Sequence, residues 1–384
     1  MATTTIPISS VRISPDNATI LANLGLLAEL AGTWEGDGFN LIARPDFVQN
    51  SNLFLQLNST RETLKIDPIG SPIPNRGFGQ PDISLAGLTY LQKIHDATTG
   101  GALHIEPGIW ITQPNTTYPP EAAPAGQQLI ARMGNIPHGN SLLAQGIAAA
   151  FTGEPVLSAG AVVYNGSQFP SFNSTPFPVP SPPAPPEPVS AGILQAATSS
   201  EALSAPTPPG PPGFTQYDLS VTPTPAGTRT DPVPTGITQA IVNDPILLLQ
   251  NVITQQKANG HSFSGVVLNI ATQAQISFFQ KPNGQKGAAT TTVNVPNGAG
   301  GIENILFLEG GSPVGSVGPN ADTALVYATF WIEKVTHPTK PTFMQLQYAQ
   351  MVILEFEIFA ALPKVNANIG WPHISVATLR KSFS

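Results

Sequence analysis

Leu30-Ala31-Gly32-Thr33-Trp34-Glu35-Gly36-Asp37-Gly38-Phe39 is the stretch on which the fold turns. Its spaced glycines allow a first β-strand to curve sharply, and its indole is large enough to stopper one end of a closed sheet. A barrel stoppered in this way is a container. A tryptophan packed in the core of another β fold would read the same way from these ten residues.

Outward from this stretch, the chain continues as short apolar or alternating runs bounded by Gly, Pro and Asn. They fall at Leu53–Leu57, Glu62–Ile66, Leu88–His95, Leu103–Ile111, Leu129–Ile136 and Leu142–Phe151. Asn17 to Leu30 reads as a short helix capped by Asn17 that leads into the tryptophan strand. Between Phe169 and Pro234 the composition changes. Phe177 to Pro188 and Pro206 to Gly213 are too rich in proline for a helix or an inner strand. This tract reads as an extended loop, with a proline-recognition motif as its alternative. Beyond it, Asp244 to Ala258 predicts a helix with Pro245 in its first turn and Asn259-Gly260 as its stop. Strands then resume at Phe263–Phe279, Ala288–Val295, Ile302–Leu308, Ala324–Val335, Phe343–Phe359 and His373–Leu379. No repeat relates the two β halves. One barrel is therefore expected, its first part at 1–168, a Pro-rich insertion at 169–236, and a helix with the remaining strands at 237–384.

The chain has 384 residues, only 10% of them charged, and a net charge of −7, so it offers no basic stripe for nucleic acid. Cysteine is absent, which removes disulfides, thiolate catalysis and cysteine-based metal sites. No run of apolar residues is long enough for a membrane-spanning helix, and the first residues lack the regions of a signal peptide. A cytoplasmic protein is the expectation, and the low charge and long loop are compatible with a homodimer.

Histidine is then the natural place to look for chemistry. His104 and Glu106 lie two apart on a strand and share a face, which is how a His/carboxylate metal site of the non-haem type can begin. A hydrogen-bonded structural pair would show the same spacing. His95 is followed by Asp96, an arrangement that orients an imidazole or merely ends a strand. His138 sits in an apparent hairpin turn, Asn135 to Asn140, of the kind that faces ligands at a barrel mouth. His261 and His337 read as structural. His373, in Trp371-Pro372-His373-Ile374-Ser375, opens the last strand and has the setting that an axial haem ligand requires. A partly buried structural histidine is the alternative.

Three segments in order carry a resemblance to a known family. Gly32-Thr33-Trp34-Glu35-Gly36-Asp37-Gly38 resembles the opening of the nitrobindin-like haem-binding barrels. Leu103-His104-Ile105-Glu106-Pro107-Gly108 is similar to their His-x-Glu-x-Gly strand, and His373 to Lys381 resembles their last strand, which carries the proximal haem histidine. Ile73-Pro74-Asn75-Arg76-Gly77, Ile136-Pro137-His138-Gly139 and Trp371-Pro372-His373 resemble segments of a larger bacterial haem-binding group. The chain departs from a simple nitrobindin in its greater length, its Pro-rich insertion and a spacing one residue longer after His373.

The resemblance implies an all-β fold: an antiparallel calycin- or nitrobindin-like barrel of ten or more strands, with one or two short helices. It implies haem b, with His373 on the iron and His104, Glu106, Tyr90, His138 and Trp34 as candidate cofactor-binding residues. It also implies reaction with nitric oxide, peroxynitrite or peroxide, as a weak peroxidase or an isomerase. Two other readings compete with it. One is a lipocalin-like carrier of a hydrophobic small molecule, and the other a non-haem metal enzyme using His104, Glu106 and either His138 or His95.

Overall fold

The computed structural model describes residues 16–46, 51–157 except 78, 118–119 and 137–138, 215–272 except 221 and 223–226, 322–357 and 368–382. It also describes short strands at 161–164, 167–170, 177–178, 275–280, 289–294 and 300–304. The Pro-rich stretch 179–214 and His138 lie outside the described residues.

Among the described residues ten long strands form the barrel: β1 (Gly32–Asp46), β2 (Ser51–Pro68), β3 (Gly87–Asp96), β4 (Ala102–Gln113), β5 (Gln127–Ile136), β6 (Asn140–Thr152), β7 (Ser262–Ala271), β8 (Asp322–Thr336), β9 (Phe343–Glu357) and β10 (Asn368–Ser382). Each pairs antiparallel with the next, and β10 returns to pair with β1 from Thr33↔Ser382 to Ile42↔His373. The sheet is thereby a closed barrel with no free edge along this seam. β6 and β7 are direct neighbours, from Gln145↔Ala271 to Thr152↔Ser264, so strands on both sides of the insertion share one sheet.

The glycines of the opening stretch have a packing reason. A Cβ on Gly36 would run into the carbonyl oxygen of Thr378, and one on Gly38 would lie 2.7 Å from Thr60 Oγ1 and 2.9 Å from Ala377 Cβ. β1 and β10 therefore approach too closely for side chains at these positions.

Alternation sends even-numbered residues of β1 to β9 and odd-numbered residues of β10 into the barrel. The lower interior is a dry cluster of Trp34, Leu64, Ile66, Leu88, Trp110, Ile130, Leu268, Ile332, Leu346 and Leu379. Leu24, Leu27 and Leu30 close it from below. These come from α1 (Asn17–Leu24) and the 3-10 turn Gly25–Leu30 that follows it. The expected single helix from Asn17 to Leu30 is thus two pieces, because Gly25 adopts φ 56. Its cap is Asp16 rather than Asn17, with Asp16 Oδ1 accepting from Thr19 N at 2.7 Å.

The outside of the barrel is covered as well. α2 (Gln239–Asn243) and α3 (Leu247–Ala258) bury Ile241, Val242, Leu249 and Ile253 against Tyr327, Trp331, Ala349, Met351 and Ile374. The expected helix from Asp244 begins only after Pro245 and Ile246, as α3, and a further short helix, α2, capped by Thr238, precedes it. Likewise the expected strand Phe263–Phe279 breaks after Ala271. Residues 228–230 clamp β2: Leu55 N donates to Thr228 O and Thr230 N to Leu55 O, both at 3.0 Å. Beneath α3, Gln256 Nε2 donates to Gln345 Oε1 at 2.7 Å, and Gln345 Nε2 donates to Glu333 Oε2 at 2.5 Å. Burial pushes the Glu333 carboxyl up to about 8. Among the described residues no helix is long and apolar enough to cross a membrane.

Candidate functional site

The barrel has a stoppered end and a mouth. Trp34 is fully buried at the stoppered end, its Nε1 donating to Leu30 O at 2.8 Å. It fills the base as its size suggests. It stands away from the mouth, so as a cofactor-touching residue it is corrected to a plug.

Above the apolar base lies a sealed layer of polar side chains from five strands. On one side, Arg132 of β5 donates from Nη2 to Glu106 Oε1 of β4 at 2.7 Å and from Nε to the Tyr90 oxygen of β3 at 3.0 Å. The Tyr90 hydroxyl itself donates to Glu106 Oε1. His104 Nε2 sits 3.3 Å from Glu106 Oε2. Burial pushes Glu106 up, but the Arg132 guanidinium, His104 and Tyr90 outweigh it and hold the carboxyl at about 2. The Arg132 guanidinium also lies 5.5 Å from the Phe330 ring centre and 5.7 Å from that of Trp110. On the other side, Glu62 of β2 accepts from the Tyr348 hydroxyl at 2.6 Å, from Thr60 Oγ1 at 3.1 Å and from Gln92 Nε2 at 3.4 Å. Burial pushes this carboxyl up to about 7, partly offset by those hydrogen bonds.

The His-x-Glu-x-Gly spacing has a structural cause here. A Cβ on Gly108 would overlap the Tyr90 ring, and one on Gly134 would overlap Glu106 Oε1 and the Tyr90 oxygen. His104 and Glu106 share the inner face, and the glycine two residues on makes room for the tyrosine that binds the glutamate.

Toward the mouth the interior opens. Tyr348, Ala377 and Thr60, paired in register through Gly38, are exposed by no more than 2% and form a floor. One rung above, Gln350, Ser375, Asn40 and Asn58 stand side by side on β9, β10, β1 and β2. One rung higher again, Val352, His373, Ile42 and Gln56 form the next row. Gln350, Ser375, Asn58, His373, Ile42 and Val352 are all half-buried although they face inward, so solvent reaches down to the row of Asn40. His373 is thus an inward-facing imidazole between two aliphatic side chains, above a sealed floor.

The remaining sequence candidates separate. His104, Glu106 and Tyr90 belong to one cluster; His104 is half-buried on a strand four removed from that of His373, roughly across the barrel. Tyr90 and Glu106 are below the surface of the chamber, committed to Arg132. His95 is corrected: it is exposed on the outer face whereas Asp96 points inward, so the two cannot act as a pair. The rings of His261 and His337 lie 5.0 Å apart, tilted by 55°, outside the barrel, consistent with their structural reading. Glu62, Gln92, Arg132, Tyr348, Gln350 and Asn40 were not foreseen. The available signal was a polar or charged residue at an inward position of an alternating strand, as at Arg132 within Leu129-Ile130-Ala131-Arg132-Met133.

No protein-family profile and no curated protein matches the chain. Among solved structures it is similar to the crystal structure of Rv2717c from M. tuberculosis, with 10% identity, 94% of this chain and 98% of that chain covered, and a TM-score of 0.31. The barrel assignment rests on the strand pairing above rather than on that likeness.

Proposed function

We propose that the protein is a ligand-binding barrel that takes haem b at its mouth, with His373 as the axial ligand. The observation that carries this reading is the placement of His373, half-buried on the inner face between Ile42 and Val352. A single imidazole on a rigid strand with aliphatic neighbours suits one bond to a haem iron and shields it from water. The non-haem alternative fits less well, since Glu106 is already bound by Arg132 and Tyr90.

In this reading Ile42 and Val352 exclude water beside His373, and Glu106 fixes the orientation of the His104 ring across the chamber. Bound haem would supply a redox-active iron for nitric oxide, peroxynitrite or peroxide. The test is the visible spectrum of full-length protein purified with haem supplied. A Soret band that is lost or shifted in His373→Ala supports the reading. No band in the wild type, or an unchanged band in the variant, overturns it and leaves the hydrophobic-carrier reading.

A further inference from the structure

Asn40 stands where the chamber ends. It is 4% exposed, and its Oδ1 is buried without a hydrogen-bond partner. Such an acceptor is rare in a folded protein and calls for a donor. No side chain of the row donates to it; its neighbour Asn58 donates from Nδ2 to Asp96 Oδ2 at 2.7 Å and accepts from Gln56 Nε2 at 2.8 Å instead. Ser375 lies directly opposite on β10. Immediately above, Ile42 and Val352 offer apolar surface on either side of His373.

We propose that the Gln350–Ser375–Asn40–Asn58 row is a subsite for an uncharged hydroxyl group on a small aliphatic body, the hydroxyl donating to Asn40 Oδ1 and the body lying along Ile42 and Val352. The inference rests on the reading that the mouth chamber is the binding site, but not on haem. An aliphatic carboxylate is disfavoured there. It has no proton to donate to Asn40, and the ionised Glu106 lies in the sealed layer below.

The experiment follows the side-chain amide signals of the ¹⁵N-labelled full-length protein, as purified without haem, during titration with 1-hexanol and separately with hexanoate at neutral pH. The Asn40 signal is assigned by its loss in Asn40→Leu. The expected result is a saturable shift of that signal with 1-hexanol and none with hexanoate, and hexanol binding about tenfold weaker in Asn40→Leu. Three results overturn the proposal: no saturable shift, equal binding of the two probes, or undiminished hexanol binding in a folded Asn40→Leu. If that variant fails to fold, the wild-type comparison of alcohol with carboxylate decides alone. The readout needs no iron, so its failure is distinct from a missing Soret band.

Discussion

Glu62 and Tyr348 meet across the barrel interior, the Tyr348 hydroxyl donating to Glu62 Oε2 at 2.6 Å although 286 residues separate them in the chain. They can meet because the two strands between them carry Gly36, Gly38 and Ala377, which leave the space above the base open. Phe330 stacks on the Tyr348 ring at 5.4 Å and fixes its direction. The pair is thus a crossbar of the barrel, and Tyr348→Phe removes its donor while keeping the ring. The expected cost is about 1–3 kcal/mol, because Glu62 loses its shortest bond while still buried. Urea denaturation of the two proteins checks this, and a change below a few tenths of a kcal/mol would contradict it.

Stability should fall with rising pH across the neutral range. Glu62 and Glu333 ordinarily titrate near 4.5, but burial raises them to about 7 and about 8 in the folded chain. Between the two values the folded state holds more protons than the unfolded state, so this contribution is present at low pH and lost as pH rises through about 7 to 8. Glu106 acts with the opposite sign: held at about 2, it contributes above its ordinary value of 4.5 and loses that contribution as pH falls toward 2. Denaturation midpoints from about pH 5 to about pH 8.5 should therefore decline, and Glu62→Gln should flatten the part below about pH 7.

Breaking the Arg132–Glu106 pair should be costlier than removing it whole. Both groups are buried and charged, so Arg132→Met is expected to destabilise by about 3–5 kcal/mol through the uncompensated carboxylate. The double variant Arg132→Met with Glu106→Gln should recover a substantial part of that loss. A thermodynamic cycle with no coupling between the two sites would refute the arrangement.

Gly134→Ala should destabilise by about 1–3 kcal/mol, because the new methyl overlaps Glu106 Oε1 and the Tyr90 oxygen. These atoms are held by Arg132 and have nowhere to go. In a Glu106→Ala, Tyr90→Phe background the same substitution should cost much less, which thermal melts of the four proteins would show.

What the sequence reveals follows from how local each cause is. The curvature glycines, the plug at Trp34 and the alternating strands are properties of neighbouring residues, and they specify a barrel. Even the inward position of His373 follows from alternation once the last strand is placed. The crossbar and the Arg132 cluster do not show in the same way. Glu62, Gln92 and Tyr348 come from three strands and gain meaning only when the register brings them together. β8 and β9 are legible as strands, at Ala324–Val335 and Phe343–Phe359, although β8 is buried on both sides. Thr329-Phe330-Trp331-Ile332 is apolar on both faces, since Trp331 is covered by the helices while Phe330 faces the interior. α2 is not legible in the same way, because the Asp244-Pro245 signal marks a helix start without showing that another helix ends just before it.

The seam between β1 and β10 also bears on how the chain reaches its fold. Thr33 pairs with Ser382, so the first barrel strand made must wait for the last one to find its partner. Until then both edges of a largely apolar sheet are unpaired, a condition that favours slow folding and edge-to-edge association. Closure of the barrel consequently has to wait for β10. A chain interrupted before β10 would keep most of its strands and leave the edges of β1 and β9 open to association.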